Sequence, residues 1–309
     1  MARRKKGNRV NGWLILDKPA AMTSTQAVGK IRWLFDARKA GHAGTLDPLA
    51  TGILPIALGE ATKTVSFAVD GEKAYRFTVR WGAETTTDDA EGSIARTSDV
   101  RPQRGAISAL LPRFVGEIMQ VPPQFSAIKI DGARAYDLAR GGEDVVLDAR
   151  LVRIDGLRLH DMPDHETTVF AAECGKGTYV RALARDMGRA LGCFGHVVGL
   201  RRTRVGPFDE QNALTLGELD SLAGAEHGSA KLMRCLMPVE TALSDLVELN
   251  VSPADAGRLR LGKPVLIRGR DAPIMQGEVY AVCKGELVAI GEIERGELRP
   301  TRVFNLGEA

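Results

Sequence analysis

Residues 41–52 read GHAGTLDPLATG, and this stretch decides how the rest of the chain is interpreted. Two close glycines permit a tight turn, and Gly52 permits another. Pro48 lacks a backbone donor and biases Asp47 away from the helical region. The pattern therefore predicts a stiff loop that holds the carboxylate of Asp47 in a fixed place.

Asp47 has a second interpretation that involves no chemistry. Asp followed by Pro is typical of a helix start, with Asp as the N-cap and Pro at the first helical position. Gly52 and Pro55 would interrupt such a helix within two turns, which weakens this interpretation. From these residues alone, an N-cap and a catalytic carboxylate both remain open.

Length and composition indicate a globular chain with a sizeable core. The 309 residues are 44% hydrophobic, enough for one large domain with a small one or for two medium ones. No run of eighteen or more apolar residues occurs, and no apolar region follows the basic N-terminus, so we expect no membrane span, no secretory signal and a cytoplasmic location. The four cysteines are widely separated without a Cys-x-x-Cys pair, and we predict no metal site.

Positive charge is concentrated in three places although the net charge is only +3. Residues 1–9 form a basic arm, and Arg201, Arg202 and Arg204 form a second cluster. A helix predicted to begin near Thr178 carries the third group, arginines 181, 185 and 189, on a face away from its apolar stripe. Each group is either a solvated surface or a contact for a polyanion such as RNA.

Hydrophobic periodicity predicts alternating strands and helices along the first four fifths of the chain. In residues 73–81, Tyr75 lies on the apolar face of a half-buried strand, where an aromatic residue is usually core. Beyond residue 245 short strands punctuated by glycine predict a small β-rich module. The other predicted elements are a strand at 12–19, a helix capped by Thr23 or Ser24, a helix at 105–114, a strand at 125–130, a helix at 133–141, strands at 151–159 and 167–174, and helices within 215–243.

Residues 41–63, GHAGTLDPLATGILPIALGEATK, resemble the signature of the bacterial tRNA pseudouridine synthase B family. Four further stretches agree with this resemblance: KAYRF at 73–77, PPQFSAIK at 122–129, GTYVR at 177–181 and LRRT at 200–203. The similar region runs from near residue 10 to about 240.

The resemblance implies an α+β fold. Its core is a mixed, mainly antiparallel sheet of the pseudouridine synthase type with flanking helices, followed by a small β-rich domain that resembles the RNA-binding PUA type. We therefore expect a basic arm at residues 1–9, a catalytic domain at 10–245 and the PUA-like domain at 246–309.

The implied reaction suits a site with a single catalytic carboxylate. The sequence contains no Walker loop, dinucleotide fingerprint or Gly-x-Ser-x-Gly elbow. Ordinary glycosidases use two carboxylates, one of which handles water, whereas uridine isomerisation retains the uracil and needs no water. The resemblance makes Asp47 the catalytic residue, and Arg181 would keep it ionised and oriented.

The resemblance also implies the walls of the pocket and the substrate. Tyr75 would pack on the uracil, Tyr179 and Leu200 would exclude water, and His42 would fill the stack left by the flipped base. The implied substrate is a uridine in the T-arm loop of tRNA, acted on by a monomer without cofactor, metal or membrane.

Two alternatives stay open at the level of the sequence. A non-catalytic RNA-binding protein would use the same basic surfaces. A base-releasing ribosyl hydrolase would use the same carboxylate but lacks an evident second one.

Overall fold

A computed structural model describes residues 7–126, 147–267 and 276–307, together with the pairs 129–130 and 133–134. The first six residues of the predicted arm and residues 135–141 of a predicted helix lie outside the described residues.

The strands are labelled β1 to β18 in chain order: Gly12–Lys18, Ala40–His42, Thr51–Leu58, Lys73–Trp81, Ala83–Thr85, Ile94–Thr97, Gly116–Gln120, Lys129–Ile130, Ala133–Arg134, Arg150–Asp161, Thr167–Cys174, Gly195–Val205, Phe208–Asp209, Val247–Asn250, Val265–Leu266, Gly277–Cys283, Glu286–Glu294 and Glu297–Val303. The α-helices are labelled α1 to α7: Ser24–Leu34, Val65–Asp70, Arg104–Leu110, Val180–Ala190, Leu216–Gly224, Gly228–Met233 and Pro253–Arg260. Short 3₁₀ helices occupy Gly59–Lys63, Leu111–Phe114, Glu210–Asn212 and Val239–Leu243.

The larger sheet has the strand order β1-β3-β12-β4-β11-β10-β7, with β2 added to β3 and β13 added to β12. All of these pairs are antiparallel except β3 with β12. This confirms the predicted mixed, mainly antiparallel sheet. The parallel pair places Arg202 beside Gly52, at the point where the Asp47 loop enters β3.

The main core lies on the sheet face covered by α1 and α4. Strand β4 alternates as predicted, burying Phe77, Val79 and Trp81 while Arg76 and Arg80 are exposed. Helix α4 contributes its predicted apolar stripe to the same core, with the buried residues Val180, Leu183, Ala184 and Met187. The Asp47 loop and the start of α4 therefore meet on one side of the sheet.

Helix α1 begins where the sequence predicted. Thr23 is its N-cap and forms a capping box with Gln26. Ile31 and Phe35 from the predicted apolar face are buried. The helix delivers the chain through β2 to the Asp47 loop.

The C-terminal module is a five-stranded sheet of order β14-β16-β17-β18-β15, which confirms its predicted β-rich character. Helix α7 within it was not predicted, although Ser252 as N-cap and Pro253 at the first position are ordinary start signals. One buried cluster joins the two sheets, containing Trp13 and Phe208 from the first and Ile290 and Phe304 from the second.

Two local predictions were wrong. Ala133 and Arg134 pair as a strand with Lys129 and Ile130, whereas a helix was predicted from residue 133. The predicted strand at 125–130 is wrong at its start, where residues 124–126 form a bend, and is confirmed at Lys129–Ile130.

Candidate active site

Asp47 lies on a turn and begins no helix, so its interpretation as an N-cap is wrong. Pro48 and Leu49 form the turn, and the Ala50 amide donates to the Asp47 carbonyl at 3.1 Å. The Asp47 side chain is 33% exposed. A partly exposed carboxylate on a closed turn is accessible to a ligand while its backbone is fixed.

Hydrogen bonds from the start of α1, from the segment before it and from the end of β1 anchor the loop. Ser24 Oγ accepts from the Leu46 amide at 2.9 Å and lies 3.1 Å from the Leu46 carbonyl. The Pro48 carbonyl accepts from the Ala21 amide at 2.8 Å and from Lys18 Nζ at 3.3 Å. These bonds satisfy the loop backbone on both sides of Asp47.

Lys18 is a buried ammonium close to the carboxylate. Burial lowers the pKa of Lys18 to about 8, and the nearby charge of Asp47 opposes this shift. Its other acceptors are the carbonyls of Pro19 and Met22, both at 2.8 Å. Sequence reasoning did not single out Lys18, because a lysine at a strand end is usually solvated.

Arg181, on the first turn of α4, reaches Asp47 as predicted. Its Nε lies 2.9 Å from Asp47 Oδ2, although the N–H is not aligned for a hydrogen bond, so charge attraction holds the pair. Nη1 donates to the Thr87 carbonyl at 2.9 Å and Nη2 to the Phe125 carbonyl at 3.0 Å. Asp89 adds a second, buried carboxylate 3.5 Å from Nη1.

The other two arginines of α4 are both paired with carboxylates, although the Arg189 side chain is still 46% exposed. Arg185 is buried and donates to Asp88 Oδ2 at 2.9 Å, and Arg189 contacts both oxygens of Glu84 at 2.7 and 2.8 Å. Burial raises the pKa of Asp88 to about 6, against the attraction of Arg185. The acidic residues Glu84 and Asp88 are therefore the partners of this helix.

Tyr75 and Leu200 lie on the same face of the sheet as Asp47. Leu200 is 8% exposed and pairs with Phe77, while Tyr75 pairs with Arg202. Burial raises the pKa of Tyr75, and the nearby guanidinium of Arg202 opposes this shift. Both residues thus occupy positions suited to line a pocket over the carboxylate.

Tyr179 and His42 flank the same region. Tyr179 is the N-cap residue of α4, and its backbone exchanges two hydrogen bonds with the Gln120 side chain. Burial raises the pKa of Tyr179. His42 lies on β2 opposite Ile56, and burial followed by the charge of Arg202 lowers its pKa, which keeps the imidazole neutral at pH 7.

The predicted basic cluster at residues 201–204 is mostly neutralised within the fold. Arg201 contacts both oxygens of Asp17 at 2.9 and 2.8 Å and also bonds Glu210. Arg204 lies 3.3 Å from Glu72. Arg202 is 1% exposed and faces the interior. The prediction that this cluster forms an RNA contact is therefore not supported for these side chains.

Family models match most of the chain. The model for the TruB family pseudouridylate synthase N-terminal domain matches residues 32–180, and the model for the tRNA pseudouridylate synthase B C-terminal domain matches residues 181–244. A tRNA pseudouridine synthase B from Bradyrhizobium diazoefficiens is 58% identical over 99% of this chain and 91% of its own length. The chain belongs to the tRNA pseudouridine synthase B family. It is accordingly an isomerase that converts uridine to pseudouridine in tRNA.

Other members of the family are similar to this chain over nearly its whole length. A tRNA pseudouridine synthase B from Nitrobacter winogradskyi is 60% identical over 98% of this chain and 85% of its own length, and one from a Chelativorans species is 57% identical over 99% and 100%. Among solved structures, a Cbf5-Nop10-Gar1 complex includes a chain with a TM-score of 0.73 and 27% identity, covering 95% of this chain and 84% of that one. The two family models meet at the start of α4, inside the unit formed by the larger sheet, so their junction is no structural boundary.

In the part of the chain that the structure describes, no group of three or more His, Cys, Asp or Glu side chains could hold a metal ion. None of the helices there is long and apolar enough to cross a membrane.

Proposed function

We propose that Asp47 is the catalytic carboxylate and that the substrate uridine lies in the T-arm loop of tRNA. The observation that carries the proposal is the pairing of Asp47, 33% exposed, with the buried guanidinium of Arg181 at 2.9 Å. Attraction to a cation this close orients the carboxylate, which is the group that would attack or stabilise the ribosyl centre. The other oxygen contacts of Arg181 fix its orientation independently of substrate.

The reaction retains the uracil within the site. The bond between C1′ of the ribose and N1 of the uracil breaks with its electron pair going to N1, and the uracil turns while held in the pocket. C1′ then bonds to C5, C5 loses its proton, and N1 gains one, so the product is an isomer of the substrate. Tyr75 would lie against the uracil, and Leu200 and Tyr179 would keep water from the ribosyl centre. His42, neutral at pH 7, would replace the extruded base in the RNA stack.

The proposal extends to the setting of the reaction. It requires no cofactor, because the reaction is a redox-neutral isomerisation in which a bond to C5 replaces the bond to N1 within the same nucleotide. We place the enzyme in the cytoplasm as a monomer, with residues 1–9 and 246–309 as additional RNA contacts. The T-arm loop follows from the resemblance of the 41–63 signature to the family.

Asp47→Asn tests the assignment of the carboxylate. The amide nearly preserves size but cannot act as a nucleophile, so we expect tRNA binding to persist while pseudouridine formation falls by about 10⁴-fold or more. Binding is measured by filter retention, and product by mapping pseudouridine in an unmodified tRNA transcript. Asp186→Asn is a matched control, because this carboxylate on α4 contacts Arg185 rather than Arg181. Pseudouridine formed by Asp47→Asn at the normal rate would refute the assignment.

The same assay tests the substrate and the fate of the base. A transcript in which the T-arm uridine is replaced by cytidine should yield no pseudouridine, and product elsewhere in that transcript would refute the T-arm assignment. Free uracil released from labelled tRNA would indicate hydrolysis instead of rotation and recombination.

A further inference from the structure

Arg202 is a buried cation whose recorded polar contacts include no carboxylate within the described residues. Its neighbours Arg181, Arg185 and Arg201 each contact at least one carboxylate. Removing an unpaired charge from water is unfavourable, and replacement by an apolar residue of similar volume is often tolerated or stabilising. A contribution to stability therefore does not explain why an arginine is buried at this position.

The acceptors of Arg202 are carbonyls at both ends of the Asp47 loop. Nη2 donates to the Gly44 carbonyl at 3.1 Å and Nη1 to the Thr45 carbonyl at 3.3 Å, just before Asp47. Nε donates to the Ile53 carbonyl at 2.8 Å, where the chain has entered β3. One planar group thus joins the two ends of the turn that carries the carboxylate.

The same guanidinium contacts the second side chain of the site. Tyr75 and Arg202 are register partners on β4 and β12, and the guanidinium lies close enough to the phenol to oppose the rise of the Tyr75 pKa. The carbonyls of the loop accept from three of the five N–H donors of the arginine, and the others can face the Tyr75 hydroxyl. The rigid, planar guanidinium of Arg202 therefore sets the positions of both Asp47 and Tyr75.

Two glycines make this close approach possible. Gly44 has φ +89°, and a Cβ there would lie 3.4 Å from Arg202 Nη1. Gly52 has φ +96°, and a Cβ there would lie 2.2 Å from the Arg202 carbonyl oxygen. The positive φ strains any larger residue at either position, and at Gly52 a Cβ would also clash with the Arg202 backbone.

We propose that Arg202 is a positioning residue of the isomerisation, which holds the Asp47 loop and the Tyr75 hydroxyl in their reactive arrangement. The proposal rests on the proposed roles of Asp47 and Tyr75. Arg202 does not touch the substrate: it acts through these two residues. Its loss should therefore reduce the rate of the chemical step much more than it reduces RNA affinity.

The test compares Arg202→Met and Arg202→Lys with Arg201→Lys, a neighbour on the opposite face of β12. Methionine removes the charge, and lysine keeps the charge but cannot span both ends of the loop. The rate is measured under excess enzyme as tritium released from C5-labelled uridine in tRNA, the dissociation constant by filter binding, and folding by circular dichroism. We expect Arg202→Met to slow the single turnover by about 10²-fold or more, with Arg202→Lys intermediate. Affinity should stay within roughly threefold, and Arg201→Lys should match the wild type.

Two results would overturn the proposal: a folded Arg202→Met variant with a near-normal rate, or affinity and rate falling by the same factor. If both Arg202 variants fail to fold, Gly44→Ala strains the loop backbone at the φ of +89° beside an intact arginine and should give the same selective loss of rate. A normal rate in Gly44→Ala would also overturn the proposal. Asp47→Asn is measured in parallel and distinguishes a failure of the proposed function from a failure of the role proposed for Arg202. Activity in Asp47→Asn refutes the proposed function, whereas an inactive Asp47→Asn beside a fully active Arg202→Met refutes only the role of Arg202.

Discussion

At the scale of single residues, three buried cations surround one partly exposed carboxylate. Arg181 contacts the carboxylate of Asp47, Lys18 contacts the Pro48 carbonyl, and Arg202 contacts the carbonyls that precede Asp47. Each cation comes from a different element, α4, β1 or β12. The loop is thus fixed from three directions before any RNA binds, and this reduces the reorganisation needed for reaction.

Arg181→Lys tests whether the geometry of the pair matters beyond its charge. Lysine retains the positive charge but cannot contact Asp47 and the carbonyls of Thr87 and Phe125 together. We expect the single-turnover rate to fall by about 10²-fold while tRNA affinity changes little. Arg189→Lys on the same helix is the control, since it contacts Glu84 and not Asp47. Equal, small effects of both substitutions would contradict a positioning role for Arg181.

Lys18 predicts a specific dependence of stability on pH. Its pKa of about 8 in the folded protein lies below the ordinary value of 10.5, so between these values the unfolded chain binds more protons and stability rises with pH. Below pH 8 both states are protonated and this effect is constant. The free energy of unfolding of the wild type minus that of Lys18→Met should therefore increase from pH 8 to 10.5, by at most about 3 kcal/mol. Urea titrations at several pH values measure it, and parallel pH curves for the two proteins would contradict the prediction.

At the scale of elements, local patterns predicted the strands and helices but not the partners of their charged faces. The alternation of β4 placed Tyr75 correctly, and the apolar stripe of α4 was confirmed. Asp88 and Glu84, which pair with Arg185 and Arg189 of α4, lie 97 and 105 residues away in sequence, and no local periodicity connects them. Arg201 and Arg202 look alike in sequence, yet alternation along β12 sends one to surface carboxylates and the other into the site.

Helix α1 allows stability and loop anchoring to be separated with two adjacent substitutions. Thr23→Ala removes the capping box and should lower the free energy of unfolding by about 1 kcal/mol without changing the rate of the folded enzyme. Ser24→Ala removes the hydroxyl that bonds both backbone groups of Leu46, next to Asp47. We expect a similar loss of stability, on the order of 1–3 kcal/mol, together with a slower single turnover. Chemical denaturation and tritium release measure the two effects, and unchanged turnover in Ser24→Ala would show that α1 does not position the loop.

At the scale of the whole molecule, the C-terminal module shares a core with the larger sheet. Phe304 and Ile290 of the module pack in one buried cluster with Trp13 and Phe208. Lys63 strengthens the junction, because its ammonium lies 5.6 Å from the centre of the Phe304 ring and donates to the Val303 carbonyl at 2.7 Å. An interface of this kind couples the unfolding of the two parts, and it ties the module to the 3₁₀ helix that directly follows β3.

Tryptophan fluorescence can measure this coupling, because all three tryptophans, at positions 13, 33 and 81, precede the module. Phe304→Ala removes a ring that is 1% exposed from the shared cluster and should cost about 3–5 kcal/mol. Leu298→Ala is the matched control, since Leu298 is equally buried but packs only within the module's own core. If the shared cluster joins the two parts, Phe304→Ala lowers the midpoint of the tryptophan transition in urea, and Leu298→Ala lowers it less. The midpoint of the tryptophan transition could instead be unchanged in Phe304→Ala while circular dichroism shows the module unfolding early. That result would mean that the module and the larger sheet unfold independently.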